Sequence, residues 1–481
     1  MQMSNLTFLW HDYETWGVNP RADRPSQFAA IRTDANLEPI GEPIMLYCYP
    51  GLDFLPHPEA VLVTGITPQK AEREGINEAS FFGTIQAEFA RENTCGVGYN
   101  SIRFDDEVTR FGFYRNFIDP YAHSWQNNNS RWDIIDLMRM THALRPEGIN
   151  WPLRDDGLAS FKLGDLTAAN GIEHSGAHDA LVDVRATIAL AKLVKEKQPR
   201  LFDFYFNLRQ KSYAEGFLSL ESPQPVLHIS GMFSVEKGCI APIVPLLRHP
   251  NNKNEIICYN LRFSPKTLLS LDADSIVEKL YTPSVSLPQG EERIALKGVH
   301  INKSPALAPP KTLNEVQAKK WGIDWQQINQ NYQLLMSDSS LQAKLVSVYK
   351  RSYNTKDPDV DVALYSDFIS NADRQRCRQL LELTPAQLVT WKGSYFDDPR
   401  LQSLLPRYQA RNYPELLSEA GRLRWQEFCQ ARLIEGKFDC NLTLEQFQQT
   451  LMTLAQSRTG EREQKLLAEL SQWVQQRFMA A

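Results

Sequence analysis

Hydrophobic and polar positions change texture twice along the chain. From Thr7 to about Lys197, strand-like runs such as "TFLWHDY" and "PIMLYCY" alternate with helical stretches such as "EASFFGTIQAEFA" and "DALVDVRATIALAKLVKEK". Strands interleaved with helices predict an α/β domain built on a mixed or parallel sheet. "KQPRLFDF" closes the last of these helices, with Pro199 as its stop. Between roughly Arg200 and Lys350 the runs shorten to "PVLHISGMF", "CIAPIVPLL", "EIICYNLRF" and "RIALKGVHI", punctuated by proline, glycine and asparagine. That pattern predicts a small β-rich domain with helices near its end. From about Asp357 onward, Leu, Gln, Glu and Arg recur at helical spacing, as in "LTLEQFQQTLMTLAQ" and "EREQKLLAELSQWVQQRF", predicting a helical domain. The expected division is therefore 1–198, 199–352 and 353–481.

Length supports several cores, since 481 residues exceed what one domain of ordinary size holds. No apolar run approaches the roughly 18 residues that cross a bilayer, so no membrane partner is expected. The first apolar run is broken by Asp12 and lacks the pattern of an export signal; a cytoplasmic protein is expected. The 7 cysteines are scattered without a C-x-x-C pair, which argues against a zinc site or a disulfide framework. A net charge of −5 gives no global basic footprint for nucleic acid, so any such footprint must be local.

Candidate chemistry lies in three stretches of the first domain. In "FLWHDYETWG", Asp12 and Glu14 alternate on a strand and so share one face, with backbones about 7 Å apart. Such a pair can begin a metal site, but an isolated D-x-E also simply opens a loop. In "GYNSIRFDDEVTR", Asn100, Phe104 and Asp105 stand at a helix start, where an aspartate also serves as a cap. In "HSGAHDALVDVRATIALAKL", His178 and Asp183 are five residues apart, about 140° of helical rotation. They share a site only if His178 stands in the preceding loop or a frayed first turn.

Taken together, Asp12, Glu14, Asp105, His178 and Asp183 resemble, in order and element context, the DEDDh exonucleases of the ribonuclease-H-like fold. Longer stretches sharpen the likeness: "RPSQFAAIRTD", "VLVTGITPQ", "FYRNFIDPYAHSWQNNNSRWDIIDLMR", "ALRPEGINWP", "ISGMF" and "HINKSPALAP" resemble the bacterial exonuclease I family. The resemblance implies an α/β ribonuclease-H-like exonuclease domain with a mixed sheet flanked by helices, an SH3-like β-barrel domain and an α-helical C-terminal domain. It implies that Asp12, Glu14, Asp105 and Asp183 hold two Mg²⁺ ions, with Mn²⁺ able to substitute, and that His178 is the general base. It implies substrate contacts from Glu14, Thr15, Arg110, Tyr121, Trp125, Arg139 and Lys162, the last standing where the best-known members carry arginine. Aromatics alternating with arginines suit single-strand binding, because base stacking needs little sequence preference.

The activity so implied is 3′-to-5′ hydrolysis of single-stranded DNA to 5′-mononucleotides, in DNA repair and recombination. A single-strand DNA-binding protein is the implied partner, and the protein is expected to be a monomer. The alternatives are a DEDDh nuclease acting on RNA ends and a non-catalytic scaffold that binds single-stranded nucleic acid.

Overall fold

The structure, a computed structural model, describes residues 5–176, 179–282, 286, 293–350 and 357–479. These fall into two compact units, one within 1–130, 174–186 and 355–481, the other within 131–173 and 187–354.

The first unit is organised by β1 (Thr7–Thr15), flanked by β2 (Pro25–Thr33) and β4 (Thr94–Gly98), with β3 (Ile44–Tyr47) beyond β2. β1 pairs antiparallel with β2 and parallel with β4, so the sheet is mixed, as the alternating pattern predicts. Both faces of β1 are covered. Leu9 and Tyr13 enter a core with Phe28, Phe81, Phe82, Ile85, Val108 and Phe113. That core is built by α3 (Glu78–Phe89) and α4 (Asp105–Arg115) against the sheet. Alternation sends Asp12 and Glu14 to the opposite face. Before α3 come the short helices α1 (Pro58–Thr64) and α2 (Pro68–Glu74).

The C-terminal helices are part of this same unit. Leu433, Phe447, Leu467, Leu470 and Trp473 share a core with Trp16, Phe54, Leu55, Val61 and Ile66. A second core joins Phe111, Tyr114 and Phe117 of α4 and its C-terminal extension to Leu364, Leu380, Leu404 and Tyr408. Between them lies a buried charge network. Arg411 donates to Asp53 Oδ2 at 2.8 Å and to Asp361 Oδ2 at 2.6 Å; Arg432 and Arg407 donate to Asp361 Oδ2 at 2.7 and 3.0 Å. Burial would raise the Asp361 carboxyl, but Arg411, Arg24, Arg432 and Arg407 outweigh it and hold the group well below the usual carboxylate range.

The second unit carries an antiparallel sheet in the order β10-β6-β7-β8-β9, from β6 (Val226–Ile229), β7 (Ile240–Arg248), β8 (Glu255–Asn260), β9 (Leu296–His300) and β10 (Ala306–Ala308). The helices expected near the end of this region are Trp325–Met336 and Leu341–Tyr349. α5 (Ile134–Leu144) and α6 (Leu163–Ala169) also belong here. The division between units runs through β5 (Ser130–Asp133) and α7 (Ala180–Lys197), whose first turn lies with the first unit.

Arg411→Ala leaves Asp53 and Asp361 short of counter-charge in the interior, and is expected to destabilise the protein by about 3–5 kcal/mol. Arg154→Ala breaks only a surface pair with Asp156 and should leave stability close to the parent's. Denaturant unfolding of both variants beside the parent checks this difference.

Candidate active site

Three chain segments bring acids to the C-terminal end of β1. Asp12 and Glu14 come from the strand. Asp183 comes from the first turn of α7, and the three side chains each offer an oxygen within 4.8 Å of the others. Asp105, 3% exposed, opens α4, and its Oδ1 accepts the Tyr13 backbone N–H at 3.1 Å. That bond ties the start of α4 to β1 between the two strand acids. The turn leading into α4 places Asn100 at φ +61°, a left-handed conformation that asparagine tolerates better than most residues.

Crowding shows in the proton affinities. Burial, then the charges of Asp183, Asp105 and Asp179, pushes the Glu14 carboxyl up to about 9. Burial, then Asp105, Glu14, Asp183 and Asp179, raises Asp12 well above the carboxylate range. Without a cation Glu14 keeps its proton at neutral pH and Asp12 holds its own more tightly than a free carboxyl does; a divalent cation would replace such protons and relieve the repulsion. The donor set is carboxylate oxygen alone, which suits a hard cation. Among the described residues no other group of His, Cys, Asp or Glu converges in this way.

Two further residues at the site escape a motif-by-motif reading. His174 Nε2 lies 2.5 Å from Asp183 Oδ1, and Asp179 adds its charge to Asp12 and Glu14 while its Oδ1 accepts the Leu181 N–H at 3.0 Å. Both stand in "EHSGAHDALVD", where two histidines four apart compete for one role. His178 lies outside the described residues.

The residues expected to touch substrate separate into groups. Thr15 is buried, and its hydroxyl donates to the Gly17 carbonyl at 2.6 Å. Arg110 is 6% exposed; its Nη1 donates to Glu107 Oε1 at 3.2 Å and to the Tyr365 hydroxyl at 3.5 Å, and its guanidinium sits 5.7 Å from the Tyr121 ring centre. Tyr121 lines a cavity of about 510 Å³ together with Phe117, Tyr365 and Phe368. Trp125 is 65% exposed and Phe368 87% exposed, open aromatic faces of the kind a base stacks on. Tyr365 and Phe368 come from "LYSDFIS", a stretch with no local signal that would link it to the acids. In the second unit, Arg139 donates to Asp136 Oδ1 at 2.7 Å and lies 6.0 Å from the Phe161 ring centre, next to exposed Lys162. Gly231 permits that guanidinium, since a Cβ there would lie 2.8 Å from Arg139 Cζ.

Comparison with known proteins agrees with this architecture. The exonuclease family model matches residues 9–191, the exonuclease I SH3-like domain 209–351 and the exonuclease I C-terminal domain 358–477. Exodeoxyribonuclease I of Escherichia coli K12 is 49% identical over 422 residues, 88% of each chain. That of Haemophilus influenzae is 45% identical over 446 residues, 92% of this chain and 94% of the relative. The crystal structure of E. coli exonuclease I with a dA16 oligonucleotide superposes with a TM-score of 0.94 at 45% identity, covering 98% of this chain and 100% of that one. Further structures include a zinc-bound E. coli ExoI–ssDNA complex and an ExoI/SSB-Ct complex, with TM-scores of 0.92 and 0.90 at 44% identity. Each covers 98% of this chain, and respectively 100% and 99% of its own. With the carboxylate cluster, the mixed sheet and the five-stranded antiparallel sheet in place, the chain belongs to the exonuclease I family.

Proposed function

We propose that this protein is a Mg²⁺-dependent, single-strand-specific 3′-to-5′ exodeoxyribonuclease that releases 5′-mononucleotides and serves DNA repair and recombination in the cytoplasm. The observation that carries the reading is the convergence of Asp12, Glu14 and Asp183, with Asp105 pinned beside them, in a chain of this family. Asp12, Glu14, Asp105 and Asp183 would hold two cations, Mg²⁺ being favoured over zinc by the all-carboxylate donor set. When bound, the cations lower the pKa of water and neutralise charge on the transferring phosphoryl group and the departing 3′ oxygen. His178 accepts the proton of the attacking water, its neutral imidazole being suited to that near pH 7. His174, beside Asp183, orients that carboxylate.

Substrate choice falls to other side chains. Tyr121, Trp125, Tyr365 and Phe368 offer ring faces to unpaired bases, each worth about 1–3 kcal/mol with little sequence preference. Arg139 and Lys162 hold phosphates, and Thr15 and Glu14 meet the terminal nucleotide. Arg110, committed to Glu107 and Tyr365, contributes its charge from below the cavity. The carboxy-terminal tail of a single-strand DNA-binding protein is the proposed partner, as in the relative's ExoI/SSB-Ct complex.

Incubation with Mg²⁺ and end-labelled DNA, RNA and duplex should give nucleotides from the 3′ end of single-stranded DNA alone. Degradation of RNA at an equal rate, or no metal-dependent release, defeats the reading. Asp12→Ala and Asp183→Ala should abolish cleavage while the protein stays folded. His178→Ala should lower turnover by about 10²–10⁴ without loss of metal or DNA binding, and excess Mg²⁺ should not restore it. Trp125→Ala should weaken single-strand binding by about 1–3 kcal/mol at unchanged salt dependence, whereas Arg139→Ala should flatten the salt slope by about one unit.

Metal and pH should be linked. Glu14 keeps its proton in the folded, metal-free protein to about pH 9 but loses it near 4.5 in the unfolded chain. Between those values the folded state binds more protons, so metal-free stability falls as pH rises. Mg²⁺ removes that penalty, and the rise in Tm on adding Mg²⁺ should therefore grow from about pH 6 to about pH 9. Melting curves with and without the ion check this.

A further inference from the structure

The stretch "RPSQFAAIRTD" contains a buried amide that none of the roles above uses. Gln27 is 1% exposed on β2, directly opposite Glu14 on β1 and Tyr47 on β3. Its side chain reaches the start of α7. Oε1 accepts the Ala180 backbone N–H at 3.2 Å, and Nε2 donates to Asp179 Oδ2 at 3.5 Å and to the Tyr47 hydroxyl at 3.3 Å. Asp179 in turn accepts from Leu181 N through its other oxygen, so the first turn of α7 is held on both sides of Ala180. The pairing then slips: Glu14 faces Gln27, but Thr15 faces Pro25, leaving Ser26 as the extra residue of a bulge. Bulges of this kind re-aim side chains beside active sites.

We infer that Gln27 is a positioning residue for the metal site, setting where Asp183 meets Asp12 and Glu14. The inference rests on the reading of those acids as cation ligands. Asp183 lies one helical turn beyond Ala180, so a shift of the helix start carries its carboxylate with it. β1 and α7 meet only through tertiary contact, and Gln27 is the side chain that touches the helix start from the strand facing Glu14. The Ala180 N–H, which can only donate, and the Asp179 carboxylate, which accepts, fix the amide's orientation, with Oε1 toward the peptide and Nε2 toward the carboxylate and the Tyr47 hydroxyl. A hydrocarbon of the same length fills the space but can neither accept from Ala180 nor donate to Asp179. A carboxylate would accept from Ala180 but would set a like charge against Asp179.

The test measures Mn²⁺ binding to the full chain without DNA, by electron paramagnetic resonance of the free ion, beside the metal dependence of cleavage. Gln27→Met should need about 10-fold or more Mn²⁺ for half-occupancy, the range found when a partner that orients a metal ligand is removed. Cleavage should recover toward the parent rate as Mn²⁺ is raised. Gln27→Asn, which keeps the amide but falls one methylene short, should shift binding the same way and covers the case in which the methionine variant does not fold. Asp12→Ala is the control and should lose Mn²⁺ binding. If Asp12→Ala binds Mn²⁺ like the parent, the metal reading fails. If it does not bind, but both folded Gln27 variants bind within about twofold of the parent, the positioning role of Gln27 is overturned.

Discussion

Carboxylates that must ionise side by side in a half-buried pocket impose the constraint on which this structure depends. Water and opposite charge are the usual remedies for such crowding, and burial at the end of β1 limits the first. Two features of the fold supply part of the second. Asp105 opens α4 and Asp183 lies in the first turn of α7, so both sit at helix ends whose exposed N–H groups carry partial positive charge. Burial first, and then the residual repulsion, lifts Asp12 and Glu14, and both favour a small, hard cation in place of the protons. The arrangement that is strained by like charge without metal is therefore the one the proposed hydrolysis uses.

A rigid frame is required to hold the acids against that repulsion. The mixed sheet supplies it on one side, through the aromatic core of Tyr13, Phe28, Phe81 and Phe82. The C-terminal helices supply it on the other, through Leu433, Leu470 and Trp473 packed on Trp16, the second residue beyond Glu14. Where those helices meet the sheet's own helices, the charges of Arg411, Arg432, Arg407, Asp53 and Asp361 are buried and paired. Buried pairs add little net stability over hydrophobic packing, yet a mispaired arrangement is strongly disfavoured, so they specify one seating of the C-terminal segment. That seating places Tyr365 and Phe368 at the rim of the cavity that Tyr121 lines.

In the proposed function, chemistry and grip are thus separated by residue type. Carboxylates with little conformational freedom lie on β1, α4 and α7. Rings and long cations lie on loops and helix faces, which suits the proposed grip on a flexible strand. Glu107 touches both sets: it stands two residues after Asp105, accepts from Arg110, and receives the Tyr365 hydroxyl at 2.7 Å. One helix therefore carries one of the acids proposed to bind the cations at its start and a support for the aromatic wall within its first turn.

Much of this was legible in the sequence because it depends on local order. The D-x-E alternation on a strand, the aspartate at a helix start and the acid in the first turn of an amphipathic helix are short-range patterns, ambiguous singly, and their combination singled out Asp12, Glu14, Asp105 and Asp183 through its resemblance to the DEDDh exonucleases. The change from strand-helix alternation to short strands to continuous helices likewise follows from hydrophobic period alone. Tertiary structure decided what no local pattern encodes. It folded residues 355–481 into the same unit as 1–130, since a leucine at helical spacing declares that a face is buried but not against what. It brought Tyr365 and Phe368 to Tyr121, set His174 on Asp183, and turned Arg110 inward to Glu107. It joined Gln27 to Ala180, an amide and a peptide N–H whose pairing depends on the register of three strands and the start of a distant helix. The sequence by itself determined which side chains could do the chemistry, because element and spacing are written locally. Only the fold determined their distances and charges, because those arise from burial and from contacts between segments far apart in the chain.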